Sequence, residues 1–355
     1  MNLSPEGEPG SFPRARTGGP PIEEMFDHMA NDNTLYLHIG LPKTATTYLQ
    51  NALFPRLDHL FYLGMPRSGK FEETEDREHE GRIMACCLQR SAVIWREFGD
   101  EIFGEMLGDK EARRASGQDV LISEEGIGRA GSRPHLLRGH LEEISAKAAD
   151  WGFGTLKVIC AFRRQDHWLG SHYAQISDRI RNASQEHFEK NIDRMLNPYG
   201  SRYKLGMLLD YKTLRDQIVL AAGEANTLML PYELLVAEPA RFQRMLLTFL
   251  GAKADILKSV EDKRTTGDAK HNVRSQGENN WLIRRPSRTF HLRPQSLVSA
   301  LGLPANISLP MPGLGRGRKI ELTPAITGKV LKAYAQSNRR LAEDLSFDLK
   351  KYGYY

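Results

Sequence analysis

Short apolar runs alternate with longer amphipathic stretches along most of this chain. Four runs predict β-strands, because they are short, β-prone and bounded by polar residues or glycine. They lie at residues 35–40, 120–123, 155–162 and 227–231. The third run is almost continuously apolar, which is typical of a strand that is buried in a parallel sheet.

Stretches with apolar residues at helical spacing lie between and after these strands. They cover residues 48–54, 83–107, 134–150, 166–181, 239–250 and 323–345. Strands that alternate with helices predict an α/β fold, in which a P-loop-like parallel sheet carries helices on both faces. We expect this sheet to form a single domain.

The two ends of the sequence differ in character from its middle. Residues 1–30 are rich in Pro, Gly and charge and predict a disordered leader. Residues 31–355 then form the domain, with a core at about 34–262 and a basic C-terminal extension at 263–355. Residues 66–82 are polar and predict a loop.

Composition narrows the class of protein. The chain has 355 residues, of which 40% are hydrophobic and 26% charged, as in a globular domain. It shows no signal peptide and no run of about 18 apolar residues, so we expect a cytoplasmic protein without a transmembrane segment. Cys86, Cys87 and Cys160 offer no disulfide framework and no Cys-x-x-Cys metal site. The net charge of +5 suits an anionic ligand, a nucleic acid or a membrane surface alike.

A polar turn follows the first strand and precedes a helix. It reads Gly40-Leu41-Pro42-Lys43-Thr44-Ala45-Thr46-Thr47. A strand-to-helix turn presents free backbone N–H groups and the positive end of a helix dipole, both of which bind anions. Lys43 adds a charge and the threonines add hydroxyl groups, so the turn predicts a phosphate-binding loop. The alternative is that the threonines only cap the helix.

The nucleoside-triphosphate P-loop does not fit this turn. Its pattern requires a second glycine directly before the lysine, and Pro42 stands there. Lys43 also follows Gly40 by only three residues. Since no predicted strand ends in an aspartate suited to magnesium, we expect no metal.

The turn resembles the 5′-phosphosulfate-binding loop of sulfotransferases that use 3′-phosphoadenosine 5′-phosphosulfate (PAPS), in particular their bacterial and carbohydrate-type branch. In that family, Pro-Lys-(Thr/Ser)-Gly-Thr-Thr precedes a helix. The resemblance implies that the donor contacts Pro42, Lys43, Thr44, Ala45, Thr46 and Thr47. Ala45 stands where the family has glycine, and its methyl group is tolerable there if φ is negative.

A second stretch extends the resemblance. The third strand ends in Phe162-Arg163, and Ser171 follows eight residues after Arg163. The family places an arginine and a serine at this spacing, where they hold the 3′-phosphate of the donor. An arginine offers a planar fork and a serine a short hydroxyl donor. Arg164 is expected to point away, and the alternative for Arg163 is a surface ion pair with Asp166.

Two carboxylates follow the second predicted strand. Transfer to a hydroxyl needs a base near the sulfur, and bacterial members of the family have a glutamate here. Glu124 is therefore the expected base and Glu125 the reserve, unless both only cap a helix. The resemblance also implies that a later basic segment, with Arg274, covers the 3′-phosphate. His38 is expected in the core and His172 on the surface.

The resemblance implies a sulfotransferase, with Lys43 and Glu124 as catalytic residues. It would move a sulfuryl group from PAPS to a hydroxyl or amine of a glycan, lipid or small molecule and release 3′,5′-ADP. One alternative is a P-loop-type small-molecule kinase that uses ATP and magnesium. Another is a nucleic-acid-binding protein that uses Trp281 and Phe290 in the basic stretch, although no nucleic-acid partner is expected.

Overall fold

A computed structural model describes most of the chain. The described residues are 33–64, 91–180, 182–252, 281–283, 319–345 and 347–355, with the backbone alone at 289–292 and 307–310. The predicted leader, the loop at 66–82, Cys86, Cys87 and Arg274 lie outside them.

Five parallel strands form the central sheet. They are β1 (Asn33–His38), β2 (Phe61–Gly64), β3 (Val120–Ser123), β4 (Phe153–Phe162) and β5 (Thr227–Pro231). Their order across the sheet is β2-β3-β1-β4-β5. The predicted parallel sheet is confirmed, and the four predicted strands are β1, β3, β4 and β5. The edge strand β2 was not predicted, because its four residues are too few to show a period.

The register of β1 places it at the centre of the sheet. Leu35 pairs with Val120 on one side and with Leu156 on the other. The pairing with β4 continues beyond the strand, since the Leu41 amide donates to the Ala161 carbonyl at 2.6 Å. The start of the predicted phosphate-binding loop therefore lies alongside the end of β4.

Twelve helices surround or extend this sheet in the described part of the chain. In order they are α1 (Thr46–Tyr48), α2 (Ala92–Leu107), α3 (Lys110–Ser116), α4 (Glu125–Gly128), α5 (Pro134–Asp150), α6 (Gln165–Ile176), α7 (Gln185–Leu196), α8 (Tyr203–Leu208), α9 (Tyr211–Ala222), α10 (Tyr232–Ala237), α11 (Pro239–Phe249) and α12 (Pro324–Asp344). The chain continues from α1 through a π-helical turn, Leu49–Leu53, and a 3-10 turn, Phe54–Arg56. The helices predicted at 134–150, 166–181, 239–250 and 323–345 are confirmed as α5, α6, α11 and α12, and the described end of the stretch predicted at 83–107 is α2. The stretch predicted at 48–54 forms the π-helical and 3-10 turns. The notable helices that were not predicted are α3, α4, α7, α8, α9 and α10. Among these helices, none combines the length and apolar character that crossing a bilayer requires.

Both faces of the sheet are covered. On one face α5 and α9 pack against β4 and against each other, and the Phe162 ring meets the Tyr211 ring with centroids 5.0 Å apart. On the other face Tyr36 meets Phe249, the last residue of α11, at 6.4 Å. Because β4 lies between β1 and β5 under both layers, Cys160 is fully buried and burial raises the pKa of its thiol to about 12.

Two antiparallel pairs of short strands follow. β6 (Trp281–Leu282) pairs with β9 (Lys319–Ile320), and β7 (Thr289–Leu292) pairs with β8 (Ile307–Pro310). The prediction placed these residues in the basic extension.

The residues from α12 onward pack on the sheet domain. α12 contacts α6, α7 and α9, and Leu341 and Leu349 are fully buried. The Tyr354 ring lies against Phe162, with centroids 5.7 Å apart. This segment therefore contributes to the same hydrophobic core as β4.

Candidate functional site

The loop after β1 turns sharply because three of its residues have a positive φ, the first of them Gly40. Lys43 has a φ of 70° and Ala45 a φ of 69°. Left-handed residues that alternate with other conformations turn successive N–H groups to one side, a geometry that binds anions. The negative φ that would make the Ala45 methyl group tolerable is not found, and its left-handed conformation costs roughly 1–2 kcal/mol.

The three threonines of this loop have different partners. The buried Thr44 hydroxyl donates to the Leu41 carbonyl and so fixes the turn. The Thr46 hydroxyl donates to Glu125 Oε2 at 2.9 Å. Thr47 is exposed at the start of α1, where the first N–H groups of a helix have no acceptor within it. Of the three threonines, Thr47 is therefore the one that is exposed to solvent.

The two candidate carboxylates after β3 point in different directions. Glu124 is 4% exposed, and its Oε1 accepts from the Gly126 amide at 2.6 Å, which caps α4. Glu125 lies against the phosphate-binding loop. It accepts the hydrogen bond from Thr46, and its Cβ packs closely against Gly40. A side chain at position 40 would place its Cβ only 2.9 Å from the Glu125 Cβ. The left-handed Gly40 is therefore required for this close approach.

Arg163 contacts the loop from the end of β4. Its Nη1 donates to the Lys43 carbonyl at 3.4 Å, and its guanidinium lies 4.7 Å from the centre of the Tyr232 ring. Its Nε is buried and has no hydrogen-bond partner among the described residues. An unpaired buried donor is costly unless a ligand satisfies it. The turns after β1 and β4 therefore meet at one place.

The neighbouring Arg164 has a structural role. It holds Asp166 with two bonds, Nε to Oδ1 at 2.8 Å and Nη2 to Oδ2 at 3.0 Å. Asp166 is fully buried, which alone would raise its pKa, but the bonds from Arg164 hold the pKa below its ordinary value. The predicted alternative, an ion pair between Arg163 and Asp166, is not formed, because Arg164 takes that place.

Glu233 fixes this turn from inside the protein. Its Oε1 accepts from the Arg164 amide at 3.1 Å and its Oε2 accepts from the Tyr354 hydroxyl at 2.7 Å. Burial raises the pKa of Glu233. Tyr211 donates to the Arg163 carbonyl at 2.7 Å. The backbone of both arginines is thus held by buried side chains.

Helix α6 is attached to the phosphate-binding loop through an indole. Trp168 Nε1 donates to the Pro42 carbonyl at 2.7 Å, and the Trp168 ring stacks on His172 with centroids 4.6 Å apart. His172, expected on the surface, is partly buried. Burial is the main cause that lowers its pKa to about 4, and the nearby cations Arg129 and Lys43 contribute to this lowering. Ser171, on the same helix, is partly exposed and has no hydrogen-bond partner among the described residues.

The structure brings together most of the predicted residues. The loop from Pro42 to Thr47 and Arg163 share one site, and Ser171 lies on the helix that Trp168 ties to that loop. Glu124 is turned back on its own helix, and Arg274 lies outside the described residues. Trp168, His172 and Tyr232 were missed as site residues, because contacts between residues far apart in sequence leave no local signal.

No protein family and no curated protein matches this sequence. Among solved structures, the crystal structure of a sulfotransferase from Alicyclobacillus acidocaldarius is similar, with a TM-score of 0.45 and 12% identical residues. The similarity covers 89% of this chain and 97% of that chain. A likeness this loose carries no information about the activity or the substrates of this chain.

Proposed function

We propose that this chain is a sulfotransferase that moves a sulfuryl group from PAPS to a hydroxyl or amine and releases 3′,5′-ADP. The observation that carries the proposal is the contact between two anion-binding turns, in which Arg163 Nη1 lies 3.4 Å from the Lys43 carbonyl. An adenosine bisphosphate has a phosphate at each end of its ribose, so two adjacent cationic turns suit it. The two turns follow the carboxyl ends of β1 and β4, which are neighbouring parallel strands in the sheet. Open α/β sheets bind ligands at the carboxyl ends of such strands.

The loop after β1 would hold the 5′-phosphosulfate. The N–H groups of residues 43–47 and the Thr47 hydroxyl supply hydrogen bonds, and Lys43 supplies a positive charge. When an acceptor oxygen attacks the sulfur, the bond from sulfur to the bridging oxygen breaks and negative charge grows on that oxygen. Preorganised donors aimed at such a charge give the largest catalytic contribution. We therefore assign Lys43 to neutralise the leaving group.

The 3′-phosphate would lie at the end of β4. Arg163 presents a guanidinium whose Nε has no partner among the described residues, and Ser171 presents a hydroxyl from α6. Arg274 remains a proposed third ligand. Binding energy from this remote phosphate positions the sulfuryl group for reaction.

The proton of the acceptor would go to a glutamate after β3. Glu124 was the expected base, but its carboxylate caps α4. Glu125 contacts the phosphate-binding loop through Thr46 and is the better placed of the two. We expect Glu125→Gln to lower kcat at least as much as Glu124→Gln, while both variants retain binding of 3′,5′-ADP.

Two measurements test the proposal. Turnover of PAPS should fall on the order of a hundredfold in Lys43→Ala, the effect of removing one oriented donor. Lys190→Ala is the matched control, since Lys190 is exposed on α7 and pairs with Glu186. Equal turnover in Lys43→Ala and in the wild-type protein would refute the assignment.

Calorimetry separates the alternatives. A sulfotransferase should bind 3′,5′-ADP without magnesium, whereas a kinase should bind ATP with magnesium in preference. Tight, steeply salt-dependent binding of RNA or DNA would instead favour the nucleic-acid-binding alternative.

A further inference from the structure

A cavity of about 410 Å³ lies beside α6 and is covered by α7 and α8. Its walls are mostly apolar and include Tyr173, Phe188, Ile192 and Met195, all at most 4% exposed. The centroids of the Tyr173 and Phe188 rings lie 5.1 Å apart, and the two ring planes form an angle of 57°. A volume of this size with aromatic walls suits a small molecule with an apolar, ring-sized body.

One wall of the cavity adjoins the proposed donor site. His172 lines the cavity and stacks on Trp168, whose indole donates to the Pro42 carbonyl. One side chain therefore separates the cavity wall from the phosphate-binding loop. Ser132, which follows α4 beyond the carboxylates, also lines the cavity. Elements after β3 and β4 thus line it, and the loop after β1 lies behind Trp168.

The rim of the cavity is cationic. Arg202 and Lys204 line it and are exposed, and the Arg202 guanidinium donates to the lining Asn191. Among the described residues, no aspartate or glutamate lines the cavity. A rim with one sign of charge attracts the opposite sign. The rim is therefore suited to a carboxylate or a similar anionic group.

We propose that this cavity is the acceptor site, and that the acceptor is a compact hydroxyl compound with an apolar, ring-sized body and one anionic group. This inference rests on the proposed sulfotransferase function. A neutral glycan suits the cavity poorly, because its many hydroxyl groups would lose their hydrogen bonds to water against apolar walls.

The test compares three acceptors with PAPS as the donor. p-Hydroxyphenylacetate and p-cresol share a phenol but differ in the carboxylate, and trehalose represents a neutral glycan. We expect p-hydroxyphenylacetate to have the highest kcat/KM and trehalose the lowest. Lys204→Gln should reduce the ratio of kcat/KM for p-hydroxyphenylacetate to kcat/KM for p-cresol about two- to fivefold. This is the effect expected from the loss of one exposed charge pair. Lys190→Gln on α7 is the matched control and should leave the preference unchanged.

A second variant fills the cavity. Met195→Trp should abolish turnover of both phenols, while its binding of 3′,5′-ADP in calorimetry stays at the wild-type level. A preference for trehalose, an unchanged preference in Lys204→Gln, or no turnover of either phenol by a wild-type protein that binds 3′,5′-ADP would overturn the acceptor assignment alone. Failure of the wild-type protein to bind 3′,5′-ADP would overturn the proposed function and this inference together.

Discussion

Replacing Arg163 by alanine should weaken binding of 3′,5′-ADP with little loss of stability. Within the described protein its side chain makes one long hydrogen bond, at 3.4 Å, and a cation–π contact with Tyr232 at 4.7 Å. Such a contact contributes about 0.5–1 kcal/mol at a partly exposed site. A charge-assisted bond to a phosphate contributes about 1.5–3 kcal/mol, so the Kd should rise about 10- to 150-fold.

The neighbouring residue supplies a matched comparison. Arg164 forms two short bonds to Asp166, which is fully buried. Removing one partner of a buried pair leaves the other charge uncompensated and costs about 3–5 kcal/mol. Arg164→Ala should therefore lower the free energy of unfolding by an amount near this range. Arg163→Ala should lower it by about 1 kcal/mol or less, which is the size of its cation–π contact.

Isothermal calorimetry with 3′,5′-ADP and urea unfolding measure the two effects separately. Binding should be compared at a temperature where both variants are folded. If Arg163→Ala binds 3′,5′-ADP as tightly as the wild-type protein, Arg163 does not hold a phosphate. If it instead loses as much stability as Arg164→Ala, the division of roles between the two arginines is wrong.

Three further outcomes follow from the same contacts. Ala45→Gly should raise the free energy of unfolding by about 1 kcal/mol, and with it the urea midpoint, because glycine removes the left-handed strain. A lower midpoint would contradict this. Tyr354→Phe should cost about 1–3 kcal/mol in the same assay, since Glu233 loses a buried donor, and an unchanged midpoint would show that water replaces it. Burial lowers the pKa of His38 to about 3 and that of His172 to about 4 from an ordinary 6.5. The unfolded chain therefore binds protons that the folded protein does not, and stability should fall as the pH drops below 6.5 towards 4; a flat profile would refute this.

The parallel sheet could be predicted because its central strands carry strong local signals. β4 is nearly all apolar, as a strand between two others under two helical layers must be. The edge strand β2 has only four residues and half-buried side chains, so it shows no clear pattern. Helix α7 was missed although Phe188, Ile192 and Met195 stand at helical spacing in the sequence and are buried. Helix α8 has only six residues, which are too few to show a clear period.

The candidate site was partly predictable for a different reason. The turn from Pro42 to Thr47 is one continuous segment, so its hydroxyl groups, its lysine and its place between a strand and a helix are visible in the sequence. The partner of each arginine could not be predicted, because Arg163 and Arg164 are adjacent and only the fold shows which of them contacts Asp166. The capping role of Glu124 likewise depends on the direction in which α4 leaves the sheet.

The bond between Tyr354 and Glu233 links the last residues of the sequence to the turn after β4. A piece comprising residues 33–252 would contain both of the proposed anion-binding turns in full. It would nevertheless lack Tyr354, whose ring packs against Phe162 and whose hydroxyl donates a hydrogen bond to Glu233. Such a truncated piece would leave a buried carboxylate short of a donor directly under the two arginines. Residues 347–355 are therefore needed for Glu233 to keep this donor.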